Sequence, residues 1–461
     1  MTITTASLGK LLLLGQAYDI AGALGRNDGL PGWGTIGGWI ALVVAVAVSI
    51  PILVFASEVW LASLLAGTKR IARLPDEARG QSPALSGAER PLQPRVDAAV
   101  DQASVPGPRV VVIVPAHNEE AVIGRTLDSL LPTLPADTAA LVIADNCDDG
   151  TARIAAEKGA VVLERRDPGR RGKSYALAYA IERLRPHPPE VAVFLDADCL
   201  VNRETVQRLT ELVRSEDRPI QVANLADSRG LGGTVGGLSA LAFRFKNLVR
   251  PLGLGVIGGP CHLTGTGMAV PWRCAESLTT LDNHLAEDMV WGTRLAIAGE
   301  SARLCPEVAV WSKLPSGGDA FSTQRTRWEQ GHLSTLTRQT PRLLWQAFRQ
   351  GRVDLALLAV DLAVPPFSLM VAIWLAVAVA MGVAFGWGVL GPLPLFVLLV
   401  AGVAMATSVL AGWFVFCRDE VPLRTLLATP VYIARKLPIY VRHLLHRGER
   451  RWIRTSRTAT S

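Results

Sequence analysis

The sequence predicts an α/β fold with a doubly wound parallel sheet, flanked by transmembrane and interfacial helices. Two observations support this prediction. Short β-branched runs alternate with helical patterns in the middle of the chain, which is typical of a parallel sheet covered by helices on both faces. Long uncharged apolar segments lie on either side of that middle part, and hydrophobic residues make up 49% of the 461 residues.

The apolar segments are long enough to cross a bilayer, which takes about 20 apolar residues in a helix. From Trp39 to Ser57 no residue is charged, and only Glu58 interrupts the apolar run that continues to Gly67. From Leu362 to Cys417 there is no Asp, Glu, Lys, Arg or His, and glycines and prolines mark a turn within that stretch. We therefore predict three spans, at residues 39–67, 362–386 and 392–417.

Basic residues beside the spans predict their orientation, because Lys and Arg are in excess on the cytoplasmic side of membrane proteins. They follow the first span, precede the second and follow the third: Lys69, Arg70, Arg73, Arg349, Arg352, Arg418, Arg424, Arg435 and Lys436. This pattern predicts a multi-pass protein of the cell (inner) membrane whose middle part is cytoplasmic. The net charge of +7 is better explained by anionic membrane lipids than by nucleic acid, which we do not expect as a partner.

The remaining segments follow from composition. Residues 1–38 are Gly-rich and are predicted to be extracytoplasmic, and residues 68–108 read as a flexible linker rich in Pro, Ala and Ser. The α/β domain is predicted at residues 109–335 and interfacial helices at 336–361. Residues 422–461 are too charged to span a membrane and are predicted to form a basic amphipathic segment at the cytoplasmic interface.

The middle of the chain reads as alternating strands and helices. The predicted strands are Val110–Val114, Leu141–Ala144, Val161–Leu163 and Val191–Leu195. The helical patterns between them are Ala121–Leu131, Thr151–Lys158 and Ser174–Leu184. Ligands of such sheets bind beyond the carboxyl ends of the strands, so the polar residues that follow each strand are the candidate site residues.

Two carboxylates, Asp196 and Asp198, follow the fourth predicted strand. A strand sends alternate side chains to one side, so both can face one site at its end. Two carboxylates together with diphosphate oxygens suit a hard octahedral cation such as Mg²⁺ or Mn²⁺. An Asp-x-Asp pair alone is not specific, because acidic residues often end strands in soluble α/β proteins.

The helix that begins near Ser174 is preceded by a loop with the sequence Gly-Arg-Arg-Gly-Lys. A helix N-terminus with Lys173 beside it is an anion site. The loop is not a phosphate-binding P-loop, because that motif requires a glycine five residues before Gly172, where this chain has Asp167.

The most specific single motif is Gln-x-x-Arg-Trp at residues 324–328. Gln324, Arg327 and Trp328 occupy positions i, i+3 and i+4, so they share one face of a helix. A guanidinium can bind a diphosphate, and an indole offers a flat wall for a sugar ring.

The order of these motifs, with Asp145 after the second strand and Glu287-Asp288 before the last motif, resembles the membrane-integrated inverting glycosyltransferases of family 2. That group contains the cellulose, chitin, hyaluronan and ceramide-glucoside synthases. The resemblance is strong over about residues 109–333. It implies a GT-A-like nucleotide-sugar domain that uses a UDP-sugar, with Mg²⁺ or Mn²⁺ bound by Asp196 and Asp198.

The resemblance also implies roles for individual residues. The implied nucleotide-sugar-binding residues are Glu119, Asp145, Lys173, Asp196, Gln324, Arg327 and Trp328. The implied acceptor-binding residues are Gly265, Thr266, Gly267, Glu287 and Trp328. Asp145 would accept the imide N–H of uracil, and Asp288 would be the general base, although Ala286 replaces the Thr that usually precedes this Glu-Asp pair.

Structural alternatives exist for these residues. Asp145 could instead cap the helix that begins at Thr151, a task that Asp148 or Asp149 could serve equally well. An isolated Glu-Asp pair would be the ordinary charge of a helix N-terminus. The glycines on either side of Thr266 could simply form a turn.

The implied function is metal-dependent, inverting transfer of a hexose or N-acetylhexosamine from a UDP-sugar to a lipid-linked or membrane-associated glycan acceptor, in cell-surface polysaccharide or glycolipid synthesis. The alternative is a processive synthase that extends and secretes a β-linked polymer. Three spans are few for such a synthase, unless a homo-oligomer or a membrane partner completes a channel. A transporter would carry functional charges within its spans, and a catalytically dead sensor would have lost the base or a metal ligand.

Overall fold

The structure, a computed structural model, describes residues 36–66, 108–227, 233–280, 286–313 and 318–445. The described residues fall into two compact units, one with 36–50 and 373–402 and the other with the remainder. Most of the predicted N-terminal segment, nearly all of the predicted linker and the end of the predicted C-terminal segment lie outside the described residues.

An eight-stranded sheet forms the centre of the second unit. Its strands are β1 (Val110–Ala116), β2 (Thr138–Asp145), β3 (Val161–Arg165), β4 (Val191–Phe194), β5 (Cys199–Val201), β6 (Ile220–Asp227), β7 (Met268–Pro271) and β8 (Arg303–Lys313). Their order is β3-β2-β1-β4-β7-β6-β8-β5. Neighbouring strands from β3 to β4 are parallel, as are β6 and β8. The strand β7 is antiparallel to β4 and β6, and β5 is antiparallel to β8.

The helices are α1 (Ile36–Leu65), α2 (Ile123–Leu130), α3 (Thr151–Glu157), α4 (Lys173–Leu184), α5 (Thr205–Glu216), α6 (Gly233–Arg244), α7 (Arg250–Val256), α8 (Trp272–Ala275), α9 (Glu287–Ile297), α10 (Gly318–Gln350), α11 (Val353–Leu362), α12 (Phe367–Gly386), α13 (Leu393–Phe416) and α14 (Thr429–Leu445). A π-helical turn, Phe245–Val249, joins α6 to α7. Short 3₁₀ turns cover Leu131–Thr133, Glu276–Thr280 and Leu423–Ala428.

The predicted α/β fold is confirmed, and the four predicted strands and three predicted helices correspond to β1–β4 and α2–α4. The predicted doubly wound sheet also contains two strands that the sequence analysis did not identify, β7 and β5, which enter it in the antiparallel direction. These two strands have only four and three residues, which is too short for a periodic pattern to reveal. The sheet is therefore mixed and mostly parallel.

Both faces of the sheet are covered, which explains the unbroken apolar runs of β1 and β2. Alternate β1 residues such as Val112 pack with α2 and α5 on one face. The others, such as Ile113, pack with α4 and α9 on the opposite face, where Trp291 is fully buried. Each fully buried Val, Ile or Leu side chain contributes about 1.5–3 kcal/mol. This double cover leaves only the strand ends accessible, and the carboxyl ends carry the candidate site.

Three helices, α1, α12 and α13, are long and apolar enough to cross a membrane, judged by length and composition. Their bounds lie within about one and a half turns of the predicted spans, and the largest difference is at the start of α12. The helix α12 begins after Pro365-Pro366, because a residue before proline is disfavoured in the helical conformation. The predicted boundary at residue 335 falls inside α10, so the Gln-x-x-Arg-Trp motif and the first predicted interfacial helix form one continuous helix.

Candidate active site

A cavity of about 670 Å³ lies beyond the carboxyl ends of β1, β2 and β4. The predicted site residues that line it are Glu119, Asp145, Lys173, Asp196, Asp198, Gly265, Glu287, Asp288, Arg327 and Trp328. The helix α10 carries Gln324 in its described backbone, but the side chain of Gln324 lies outside the described residues. The structure thus brings residues from seven separate segments of the sequence to one place.

Asp145 ends β2 and is 5% exposed. Its Oδ1 accepts a hydrogen bond from Arg165 Nη1 at 2.6 Å and one from Asn146 Nδ2 at 3.0 Å. The N-terminus of α3 is served by Asp149, whose Oδ1 accepts the Thr151 N–H at 3.0 Å. Asp149, and not Asp145, therefore accepts a backbone N–H at the start of α3, whose N-cap residue is Gly150, and the carboxylate of Asp145 lines the cavity.

The loop after β1 places Glu119 beside this position. Its backbone N–H donates to Thr151 Oγ1 at 2.8 Å. Asn118 adopts a left-handed conformation, with φ of 53°, and its Oδ1 accepts the Asp148 N–H at 2.8 Å. These bonds tie the loops after β1 and β2 to each other, so that one wall of the cavity has a fixed shape.

The Asp-Ala-Asp segment follows β4 and lies against Lys173 at the start of α4. Lys173 Nζ is 2.5 Å from Asp196 Oδ1 and donates to the Gly265 carbonyl at 2.7 Å. Burial alone would lower the pKa of Lys173, but the charges of Asp196 and Glu287 raise it above its ordinary value. The side chain is therefore a permanent cation at the centre of the site.

The residues present fit a divalent cation. Carboxylate oxygens of Asp196 and Asp198 and the Sγ of Cys199 all lie within 4.8 Å of one another. The two carboxylates are half-buried and line the cavity, as hard-cation ligands require. Cys199 is fully buried, and its Sγ contacts Thr266 Oγ1 at 3.3 Å. Burial and the charge of Asp198 raise the pKa of its thiol, so the two aspartates are the better ligands.

Glu287 and Asp288 form the first turn of α9. Asp288 Oδ1 accepts the Met289 N–H at 2.8 Å, which fixes its rotamer. A Cβ added to Gly265 would lie 3.0 Å from Asp288 Oδ2 and 3.3 Å from Lys173 Nζ, so the loop approaches both groups closely only because residue 265 is glycine.

The same burial shifts both carboxyl groups of this turn. Burial raises the pKa of Asp288, and the positive charge of Lys173 partly offsets the effect. Burial and the charge of Asp288 raise the pKa of Glu287 to about 7. Raised carboxyl pKa values in a cavity are typical of groups that accept and release protons.

The other two residues of the predicted acceptor loop lie behind the cavity wall. Thr266 is 1% exposed, and its Oγ1 accepts the Asp196 N–H at 3.0 Å. Gly267 has a φ of 63°, and a Cβ there would collide with Val222 and Val310. Both residues support the Asp196 segment, and their assignment to the acceptor stays a prediction.

The helix α10 presents Arg327 and Trp328 to the cavity and is anchored on two sides. The ring of Trp328 lies 5.5 Å from the ring of Phe243 on α6. The next residue, Glu329, is buried and pairs with Lys436 and Tyr440 of α14. These contacts hold the motif in place from both sides.

Several charged residues of the cavity wall carried no motif that sequence reasoning could use. Arg250 Nε donates to Glu58 Oε2 at 2.6 Å, and its Nη2 donates to Asp361 Oδ1 at 2.5 Å. Lys246 of the π-helical turn lines the same cavity. The one available signal was Glu58, the single charge that interrupts the first apolar run.

Comparison with known proteins agrees with the fold. Residues 108–331 match the family described as "Glycosyltransferase like family 2". The low-salt glycan biosynthesis hexosyltransferase Agl6 of Haloferax volcanii is 32% identical over 130 residues, which are 28% of this chain and 30% of that protein. The probable glycosyltransferase YdaM of Bacillus subtilis is 26% identical over 247 residues, which are 49% of this chain and 55% of that protein. The chain thus spans about half or less of the length of these curated relatives.

The fold also resembles that of a solved mannosyltransferase, PcManGT from Pyrobaculum calidifontis, determined in complex with GDP-Man and Mn²⁺. The TM-score is 0.50 at 18% identity, and the likeness covers 88% of this chain and all of that one. This likeness shows a GT-A-like α/β fold, as the sequence predicts, and the family match covers the same middle part of the chain.

Proposed function

We propose that this protein is a divalent-metal-dependent, inverting glycosyltransferase. It transfers a hexose or N-acetylhexosamine from a UDP-sugar to a lipid-linked or membrane-associated glycan acceptor. The observation that carries the proposal is the convergence, in one cavity, of the carboxylate of Asp288, the ammonium of Lys173 and the carboxylates of Asp196 and Asp198. Each part of the reaction has a residue in that cavity.

The donor nucleotide occupies the walls formed by the loops after β1 and β2. Asp145 receives both of its hydrogen bonds from neighbours on Oδ1. Its Oδ2 is therefore the oxygen that accepts the imide N–H of uracil. Glu119 lines the adjacent wall, and Trp328 provides the flat surface for the sugar.

The diphosphate lies between Lys173, Arg327 and the metal-binding carboxylates. Asp196 and Asp198 would hold Mg²⁺ or Mn²⁺, which neutralises charge on the departing UDP. Lys173 already contacts Asp196, so it needs only a small displacement to share its charge with the diphosphate. Arg327 adds a planar donor suited to phosphate oxygens.

The transfer step follows from the position of Asp288. The acceptor hydroxyl oxygen attacks the anomeric carbon from the face opposite UDP and forms the new C–O bond. The bond between that carbon and the UDP oxygen breaks, and UDP leaves with its electron pair. The hydroxyl proton passes to the Asp288 carboxylate, whose raised pKa suits it to accept a proton.

The three apolar helices support an acceptor that reaches the site from a membrane. Basic residues beside them favour a cytoplasmic catalytic domain, where UDP-sugars are made. Three such helices among the described residues favour a single transfer to a lipid-borne acceptor over secretion of a polymer. The product would then belong to a cell-surface polysaccharide or a glycolipid.

The proposal is tested by measuring nucleoside diphosphate released by the purified chain in detergent, with membrane lipid extract and Mn²⁺. The donor panel is UDP-glucose, UDP-galactose, UDP-N-acetylglucosamine and GDP-mannose. We expect release from at least one UDP-sugar, abolished by excess chelator and restored by Mn²⁺ or Mg²⁺. Asp198→Ala should abolish the release as well. Full activity in excess chelator, or release from GDP-mannose alone, would contradict the proposal.

A further inference from the structure

The cavity continues from the candidate catalytic residues to the apolar helices. Its far end is lined by Phe55 of α1, Phe367 of α12 and Val409 of α13. The ring of Phe55 lies 5.3 Å from the ring of Phe367 and 6.0 Å from that of Phe245. This end therefore offers an apolar aromatic surface, while the other end is polar and charged.

Two cations in this far part of the cavity are neutralised by buried partners. Arg250 is bonded to Glu58 and Asp361. Lys436 is paired with Glu329. A buried charge that is paired and hydrogen-bonded has its counter-ion within the protein and does not require one from a ligand.

Lys246 differs from both. Among the described residues, its ammonium makes no hydrogen bond and no salt bridge, although it lines the cavity. Burial lowers its pKa, and the carboxylate of Asp288 opposes that effect. Lys246 in turn lowers the pKa of Asp288, so the two groups lie within range of each other's charge.

The backbone at Lys246 is also unusual. The residue lies in the π-helical turn Phe245–Val249. Such turns are rare and occur frequently at functional sites. Here the turn has both Phe245 and Lys246 at the cavity, so that an aromatic surface and a cation lie side by side.

We propose that Lys246 binds an anionic group, a phosphate or a carboxylate, in the headgroup of an amphiphilic acceptor whose apolar chain lies along Phe55 and Phe367. This inference rests on the proposed function, because it assigns a residue to the acceptor part of the same cavity. The headgroup hydroxyl then faces Asp288 while the anionic group neutralises Lys246. A neutral acceptor would leave the ammonium of Lys246 without a hydrogen-bonded counter-ion in the part of the chain that the structure describes, which is unfavourable for a partly buried cation.

The test measures binding of dodecyl phosphate to the full chain in neutral-detergent micelles, by calorimetry. Saturating UDP and Mn²⁺ are present, so that the diphosphate site is occupied. We expect Lys246→Met to weaken binding about 10-fold or more, since hydrogen bonds to charged groups have that effect. Lys246→Arg should retain most of the affinity, and Arg349→Met, an exposed charge on α10, serves as the matched control.

Two further binding measurements use the wild-type protein and test which chemical groups the ligand needs. They therefore do not depend on whether a variant folds. Dodecyl phosphate should bind more tightly than dodecanol, which lacks the charge, and more tightly than inorganic phosphate, which lacks the chain. If dodecanol binds as tightly as dodecyl phosphate, the proposal that the ligand carries an anionic group is wrong. If inorganic phosphate binds as tightly, the proposal that the ligand carries an apolar chain is wrong. Unchanged dodecyl phosphate affinity in Lys246→Met would overturn the role of Lys246.

Failure of this inference is distinguishable from failure of the proposed function. If UDP release from a UDP-sugar is observed while Lys246→Met binds dodecyl phosphate like the wild type, only the acceptor assignment is wrong. If Lys246→Met loses affinity for UDP and Mn²⁺ as strongly as for dodecyl phosphate, Lys246 belongs to the donor site and the inference is overturned.

Discussion

Replacing Asp288 by Asn should separate proton transfer from donor binding. The amide keeps the shape of the side chain, and its oxygen can still accept the Met289 N–H that Asp288 Oδ1 accepts at 2.8 Å. The first turn of α9 should therefore remain intact. What the variant loses is the ability to take the acceptor proton, which is worth about 10²- to 10⁴-fold in rate.

Binding of UDP should survive the same substitution for an electrostatic reason. Asp288 is one of the carboxylates whose negative charge acts on Lys173. Removing that charge leaves the surroundings of Lys173 more positive, and an anionic diphosphate is attracted at least as strongly as before. We therefore expect the dissociation constant for UDP with Mn²⁺ to stay equal or fall, while turnover falls by several orders of magnitude.

The assay pairs UDP release with calorimetric binding of UDP and Mn²⁺. Glu287→Gln is the matched control, because it removes a carboxylate from the same helical turn without touching Asp288. We expect its turnover to fall much less than that of Asp288→Asn. Loss of UDP binding in parallel with turnover in Asp288→Asn would refute the base assignment, and so would an equally inactive Glu287→Gln.

Three other perturbations follow from the same contacts. Glu329→Gln leaves the buried Lys436 without its charged partner and should lower the free energy of unfolding by about 3–5 kcal/mol. Adding Lys436→Met should restore most of the lost thermal stability, and no recovery would contradict the pairing. Burial raises the pKa of Glu287 from 4.5 to about 7. The stability that the protonated Glu287 carboxyl group contributes is therefore present below pH 4.5 and is lost as the pH rises through 7. Glu287→Gln should therefore raise the melting temperature relative to the wild type at pH 8 but not at pH 4.5. A higher melting temperature of the variant at pH 4.5 but not at pH 8 would show that burial does not govern the pKa of Glu287. Val389→Cys, between α12 and α13, should react with a membrane-impermeant thiol reagent in intact cells, and failure to react would reverse the proposed orientation.

The sequence predicts those strands and helices whose own residues form a recognisable hydrophobic pattern. The strands β1 and β2 are buried on both faces, so they contain unbroken apolar runs of seven and six residues. The antiparallel entry of β7 depends on pairing between Val191 and Pro271, which lie far apart in the chain. No local pattern encodes such a pairing.

The same distinction applies to the site. Asp196, Asp198 and Lys173 are found from spacing within a few residues of a strand end or helix start. Arg250 pairs with Glu58 across 192 residues, and only the folded chain brings them together. Lys246 belongs to no sequence motif, and its importance emerges only from the cavity that surrounds it.

The stereochemistry of the product tests the central claim most directly, because attack opposite UDP with Asp288 as the base must invert the anomeric centre. The measurement is the proton NMR coupling of the anomeric position in the lipid product formed from an α-linked UDP-sugar and the wild-type protein. A β-linked product is the result that this arrangement of Asp288, Lys173 and Asp198 predicts. An α-linked product would contradict it.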